Sequence, residues 1–423
     1  MKKTVLLTCL IAGTIYSIFA AGTKDSSGKN IKLTIAGRDG SYGDALQLAA
    51  DSYTAKHPGV SFEILKLSGN DLFEKSVIDM KTGTGTYDII LIDDTNITLF
   101  QQAGWLTNLD KFGAEKDLDA DIIEPAVRLG RWPYAKDGKL EAVPLYGNVA
   151  LFAYRKDLFE KYGNGNCTTW ESLIENVKKI TAQNPAVTGV VFRGVKGNPI
   201  VTGFLPIFWA YGGNILDASG KVTMNTSESL AAMNCFLELA KYAPKDVATY
   251  QSSQVRDALY SGSAAVAAEV WPGWIGDLEN PAKSAVVGKV AVVKSPGEKV
   301  QTTSMLGVWL AGIPEESRNK KAAYDFMKYL LSKEIQEQVS DKAGVPPVRK
   351  SVFEESSQTA KYPWYPAQKD ALEHGVARPR SANWKQMEDA LGNVLQRALI
   401  GELTASQAVN QAQADLSKIA AAK

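Results

Sequence analysis

Tyr87-Asp88-Ile89-Ile90-Leu91-Ile92-Asp93-Asp94 is a mostly apolar run that ends on two carboxylates. A strand with one wet face alternates apolar and polar residues, whereas an unbroken apolar strand is covered on both faces, as in a parallel sheet flanked by helices. The preceding segments fit that reading. Residues 31–36 read as a strand, and Gly37-Arg38-Asp39-Gly40 as the loop leaving it. Leu46, Ala49, Ala50 and Tyr53 then recur at i, i+3, i+4 and i+7, the stripe of an amphipathic helix. Lys56-His57-Pro58-Gly59 ends that helix, since Pro disfavours helix before it and Gly permits the reversal. Residues 60–67 largely alternate and form the next strand. Strand and helix in turn predict an α/β fold on a parallel sheet. Ligands of such sheets sit at the carboxyl ends of the strands, which points to the loops 37–41 and 93–96.

Farther on, residues 142–154 hold two short strand-like pieces around Pro144. Thr168-Thr169-Trp170-Glu171 predicts a capping box in which Thr168 and Glu171 satisfy amides at a helix start. Trp170, Leu173, Ile174, Val177 and Ile180 trace a helical stripe, which places Trp170 in a core. The same pattern returns at Ala323, Phe326, Met327 and Leu330, and at Leu391, Val394, Leu395 and Ala398.

At 423 residues the chain exceeds one compact core and suits two lobes. Lys+Arg 47 against Asp+Glu 46 carries no footprint of nucleic-acid or polybasic membrane binding, so no nucleic-acid partner is expected. Lys2 and Lys3, an apolar run from Val5, and small residues Ala20, Ala21 and Gly22 read as a secretory signal peptide over residues 1–22. A periplasmic or extracellular chain follows. Cys9 lies inside the apolar run, too early for a lipid-modified N-terminus, so a lipid anchor is disfavoured. Cys167 and Cys235 remain, and the sequence leaves open whether they pair. With His57 and His374 the only histidines, neither a His/Cys zinc site nor a Ser-His-Asp triad is favoured, and no metal or cofactor is expected. In Lys81-Thr82-Gly83-Thr84-Gly85-Thr86 the Lys precedes the glycines, the reverse of a phosphate-cradling loop.

A sugar presents apolar C–H faces and a polar rim, so flat rings and hydrogen-bonding side chains recognise it together. The candidate rings are Tyr146, Trp271, Trp274, Trp309 and the pair Trp364-Tyr365. The candidate polar groups are Arg38, Asp39, Asp93, Asp94, Asn148, Arg349 and Arg380. Taken singly, each ring also fits a packed core position and each charge a solvated loop. Pro272 and Gly273 break helix and strand between Trp271 and Trp274, which predicts that both rings are presented from a loop. Among 46 acidic residues some pair will always resemble a glycosidase's two carboxylates, and only their separation in space would identify one.

The order and spacing of several segments resemble the extracellular solute-binding proteins of carbohydrate ABC importers, the maltose- and trehalose-binding type. The resemblance covers essentially the whole mature chain. It rests on Ala55-Lys56-His57-Pro58-Gly59-Val60, on residues 87–94 with Ala103-Gly104-Trp105-Leu106, and on Val143-Pro144-Leu145-Tyr146-Gly147-Asn148 followed by Tyr154-Arg155-Lys156-Asp157. Thr168-Thr169-Trp170-Glu171, Gly344-Val345-Pro346-Pro347-Val348-Arg349 and Arg378-Pro379-Arg380-Ser381 complete it.

The resemblance implies a two-lobed clamshell of the type II periplasmic-binding-protein fold with three hinge crossings, the third at residues 344–349. Residues 31–143 and 300–347 would form lobe one, and 147–296 and 349–423 lobe two. It implies a monomeric receptor, not an enzyme, that binds a mono- or oligosaccharide and delivers it to the membrane subunits of an ABC permease. Asp93 or Asp94 would take hydroxyls, Tyr146, Trp271 and Trp274 would stack from lobe two, and Trp309 would line the cleft from lobe one. Arg349 and Arg380 sit in matching segments. Gly40-Ser41 stands where relatives often carry an acidic residue, which implies either that Asp39 substitutes or that the sugar differs. The same clamp around a non-sugar solute and a secreted carbohydrate-active enzyme are the alternatives.

Overall fold

A computed structural model describes residues 30–422 apart from Asn166 and Thr302; the leader expected at 1–22 lies outside the described residues. Eleven strands are assigned among them: β1 (Ile31–Arg38), β2 (Val60–Leu67), β3 (Ile89–Asp93), β4 (Arg131–Trp132), β5 (Lys139–Leu140), β6 (Ala142–Tyr146), β7 (Leu151–Arg155), β8 (Thr188–Val191), β9 (Ala264–Val270), β10 (Val290–Val293) and β11 (Trp309–Gly312). The first lobe is built on a five-stranded sheet of order β2-β1-β3-β11-β6, the second on a four-stranded sheet of order β10-β7-β9-β8. β4 and β5 form a separate hairpin.

In the first sheet β1 runs parallel to β2 and β3, and the residues 89–92 are buried at every position, as their unbroken apolar run requires. The sheet is nevertheless mixed. β11 returns from the far lobe and lies antiparallel to both β3 and β6. Helix Ser41–Lys56 packs Leu46, Ala49, Ala50 and Tyr53 inward and ends at His57, on the turn the Pro-Gly pair sets. In the second sheet all seven residues of β9, Ala-Ala-Val-Ala-Ala-Glu-Val, are buried. Its small side chains let helices Trp170–Gln183 and Asn198–Ala210 lie against it. The cap of the first of these helices falls one residue later than expected: Thr169 accepts from the Ser172 amide, and the Ser172 hydroxyl takes the Thr169 amide. Trp170 is fully buried. Cys167 and Cys235 are buried free thiols.

Three passes of the chain lie side by side where the lobes join. The Ala150 amide donates to Met305 O at 2.8 Å, Gly307 N to Asn148 O at 3.0 Å, Leu306 N to Val376 O at 2.9 Å and Val376 N to Ser304 O at 2.8 Å. Residues 148–150, 304–307 and 376 thus make a narrow hinge ribbon. The third crossing is therefore at Val376 instead of at 344–349, and the boundary expected at 349 moves with it. Ile123 N donates to Val348 O and Lys350 N to Asp121 O, both backbone ties within lobe one. The Ser340 hydroxyl bonds Gln358 Oε1 at 2.9 Å and Tyr365 Oη at 2.6 Å, which ties residues 358–365 to the same lobe. Helix Trp384–Leu399 then packs on lobe two, against helix Asn198–Ala210 and helix Ala405–Ala421.

A buried charge cluster sits beside the ribbon. The Arg378 guanidinium donates to Asp93 Oδ1 at 3.0 Å and to both oxygens of Asp94, and Glu388 lies 3.9 Å away on the lobe-two helix. Burial opposes the Arg378 charge, but Asp94, Asp93 and Glu388 outweigh it and hold the guanidinium protonated. Burial pushes the Glu388 carboxyl up to about 7, with the Arg378 charge pulling the other way.

Two expectations follow. A Cβ on Gly307 would stand 2.1 Å from the Trp271 ring, so Gly307→Ala should lower unfolding free energy by about 1–3 kcal/mol through overpacking, read by chemical denaturation. Glu388 binds its proton more tightly folded than unfolded, so its contribution is complete below the ordinary carboxyl pKa of 4.5 and is lost as pH rises through about 7. Melting temperature should therefore fall between pH 5 and pH 8, and Glu388→Gln, which keeps an acceptor for Asn198, should flatten that slope.

Candidate functional site

The register of the first sheet aligns the residues at one edge. Arg38 ends β1 opposite Leu67, and Trp309 at the start of β11 lies opposite Asp93 on one side and Tyr146 on the other. Arg38, Asp93, Trp309 and Tyr146 are thereby brought to a single edge, the carboxyl ends of β1, β3 and β6, where a ligand of such a sheet binds. Tyr42, in the first turn of helix Ser41–Lys56, leans over this edge with its ring centroid 5.2 Å from Tyr146 and 5.5 Å from Trp309. The Tyr146 hydroxyl donates to Tyr42 O at 3.3 Å, and burial raises both phenols, keeping them protonated.

A cavity of about 270 Å³ opens beside this row and is walled by both lobes. Lobe one supplies Arg38, Asn70, Asp93, Asn96 and Trp309; lobe two supplies Asn198, Lys385 and Glu388. Local structure explains the positions. Ser68 caps helix Gly69–Thr82 by accepting from Asp71 N, which sets Asn70 in the first turn at the β2 exit. Asp93 caps helix Asp94–Gln102 by accepting from Thr95 N at 3.2 Å. Asn198 opens helix Asn198–Ala210 and donates to Glu388 Oε1 at 2.9 Å. The Arg38 guanidinium donates to Leu67 O at 3.3 Å and pairs with Asp39, and burial lowers its pKa. One indole face surrounded by carboxylates, amides and cations can cover an apolar C–H surface while it donates to and accepts from hydroxyls. Among the described residues no group of three or more His, Cys, Asp or Glu is placed to hold a metal ion.

The remaining candidates divide. Trp274 lines a second chamber of about 840 Å³ with Arg256, Asp277 and Lys361. Trp271 is packed instead of presented: it is buried against Gly307, and its Nε1 donates to buried Glu269, which Arg193 holds at 3.0 Å. The Pro-Gly break makes a short 3-10 turn there, not an open loop. Asn148 is buried in the hinge, with Oδ1 lacking a partner among the described residues. Asp39 stays outside the cavity, paired with Arg38. Asp94 is fully taken up by Arg378. Arg380 donates to Asp94 O at 3.3 Å and Leu129 O at 3.2 Å and lies over the Tyr134 ring, tying the third crossing to lobe one. Arg349 is buried in lobe one against Asp119 and Asp121, both at 3.0 Å, and does not line the cavity. Trp364 and Tyr365 are core residues of that lobe. Tyr42, Asn70, Asn198, Lys385 and Glu388 escaped the sequence reading. Glu388 did leave a signal, a carboxylate four residues after Trp384 and three before Leu391 on an otherwise apolar stripe.

Known proteins share this architecture. Residues 38–337 match the family model described as bacterial extracellular solute-binding protein. A mannitol-binding protein of Pseudomonas aeruginosa is 25% identical over 407 residues, 90% of this chain and 91% of its own. Maltose-bound MalE3 of T. maritima superposes with a TM-score of 0.81 at 26% identity, covering 92% of this chain and 99% of that one. An ABC transporter solute-binding protein from Agrobacterium radiobacter K84 in complex with ribitol gives 0.81 at 27% identity over the same shares. The two-lobed frame, the hinge ribbon and the match over most of its length agree: the chain belongs to the bacterial extracellular solute-binding protein family.

Proposed function

We propose that this protein is the extracytoplasmic receptor of a carbohydrate ABC importer, which binds a sugar or sugar alcohol between its lobes, leaves it chemically unaltered and hands it to the membrane permease. The observation that carries this reading is the two-lobed cavity with the Trp309 indole on one wall and Arg38, Asn70, Asp93, Asn198 and Glu388 around it. Relatives named for mannitol, maltose and ribitol support a polyhydroxylated ligand. So does the mixed donor and acceptor lining, which suits neutral hydroxyls better than a phosphate or a polyamine. The reading includes an exported, monomeric chain without a lipid anchor. Among the described residues no helix is long and apolar enough to cross a membrane.

Calorimetric titration of the mature protein with D-mannitol, ribitol, D-glucose, maltose and lactose, followed by product analysis of each mixture, tests it. Saturable one-to-one binding of at least one unaltered compound is expected; cleavage of a bound disaccharide would make the protein an enzyme. Trp309→Ala should weaken the binding about tenfold or more, because a stacking ring at the centre of a desolvated site carries much of the affinity. Asn70→Ala, which removes one hydrogen-bonding partner, should cost about 1–3 kcal/mol of binding. Undiminished affinity in both variants would place the site elsewhere.

A further inference from the structure

The cleft holds two chambers, and one side chain reaches a residue of each. Tyr42 belongs to lobe one and touches Trp309, which lines the cavity with Arg38 and Asp93, and Gly273, which lines the larger chamber with Ser41 and Trp274. On one side its ring packs against Trp309 and Tyr146. On the other its hydroxyl meets lobe two at Gly273, where a Cβ would stand only 2.6 Å from Tyr42 Oη. The two chambers share no lining residue. The smaller, of about 270 Å³, falls just under the ~300–1,000 Å³ typical of small-molecule sites. It has room for one six-carbon ring or chain, and a second sugar unit reaching toward Gly273 and Trp274 would meet the Tyr42 ring.

Building on the receptor reading above, we propose that Tyr42, closing on Gly273, is the specificity wall that restricts the ligand to a single monosaccharide or alditol and shuts the Trp274 chamber off from it. Gly273 is required on the opposite lobe because any side chain there meets the phenol before the lobes close. Trp274 then serves a chamber that the bound ligand does not enter, although it is an aromatic in a turn beside the cleft. The wall would let a chain with a cleft of two chambers discriminate by ligand length without a contact to the distal sugar: an oligosaccharide is excluded by a steric clash and not by a missing bond.

The test titrates the wild type, Tyr42→Ala, Gly273→Ala and Tyr42→Phe/Gly273→Ala with D-mannitol, D-glucose, maltose and maltotriose. Wild type should bind a six-carbon compound at least tenfold more tightly than either oligosaccharide. Tyr42→Ala should narrow or invert that ratio by tenfold or more. Gly273→Ala should weaken the six-carbon ligand about tenfold, and adding Tyr42→Phe, which removes the atom the new methyl strikes, should recover most of the loss; this arm remains decisive if Tyr42→Ala fails to fold. A wild type that binds maltose or maltotriose as well as the single unit overturns the wall, as does an unchanged ratio in Tyr42→Ala or a Gly273→Ala loss that Tyr42→Phe does not relieve. A wild type that binds none of the four overturns the carbohydrate reading and the wall with it.

Discussion

Arg378 holds the two halves of the molecule to one line. Its side chain is 4% exposed, and three carboxylates face it: Asp93 and Asp94 at the end of β3 in lobe one, and Glu388 on helix Trp384–Leu399 of lobe two. Withdrawing such groups from water costs several kcal/mol per ion unless partners replace the lost hydration, so these charges tolerate few relative positions. The guanidinium follows directly on the third strand of the hinge ribbon, whose backbone bonds join residues 148–150, 304–307 and 376. The ribbon supplies the axis, and the buried charges keep the base of the cleft in register on either side of it. Glu388 belongs at once to this cluster and to the cavity wall, so the cavity and the lobe junction share one carboxylate.

The site itself is a consequence of strand register. β11 returns to lobe one between β3 and β6, and the single residue at its leading end, Trp309, falls between Asp93 and Tyr146. An aromatic face and a carboxylate are thereby set side by side by backbone hydrogen bonds, which leaves little to side-chain flexibility. Lobe two completes the cavity from helix starts and helix faces: Asn198 from a first turn, and Lys385 and Glu388 from helix Trp384–Leu399. Neither lobe alone encloses a ligand. A ligand held there would contact both lobes at once.

Much of this could be read from the residues because it depends on local rules. The apolar run at 89–92, the Pro-Gly turn at 58–59 and the stripe Leu46, Ala49, Ala50, Tyr53 each follow from period and turn chemistry, and the structure places them as those rules require. Arg38, Asp93 and Trp309 could be named because strand ends and isolated indoles are conspicuous. What could not be read depends on which surfaces meet. Arg349 and Arg380 look like Arg38 in sequence, yet one is satisfied by Asp119 and Asp121 within a lobe and the other by carbonyls at the lobe junction. Trp271 differs from Trp274 in that Gly307 leaves room for its ring and Glu269 accepts from its Nε1. The shift of the third crossing from 344–349 to 376 has the same origin: the resemblance implied a crossing at 344–349, but the backbone partners of Val348 and Lys350 keep that segment in lobe one.

The central claim is that the two lobes close around a ligand by turning about the ribbon at 148–150, 304–307 and 376. Small-angle X-ray scattering of the mature protein, recorded without ligand and again at saturation with whichever sugar or alditol titrates, tests it most directly. The account predicts a smaller radius of gyration with ligand, together with a saturated profile that matches the closed arrangement in which Tyr42 touches Gly273. Identical profiles at both ends of the titration would contradict it, since a receptor that binds without moving has no use for a hinge.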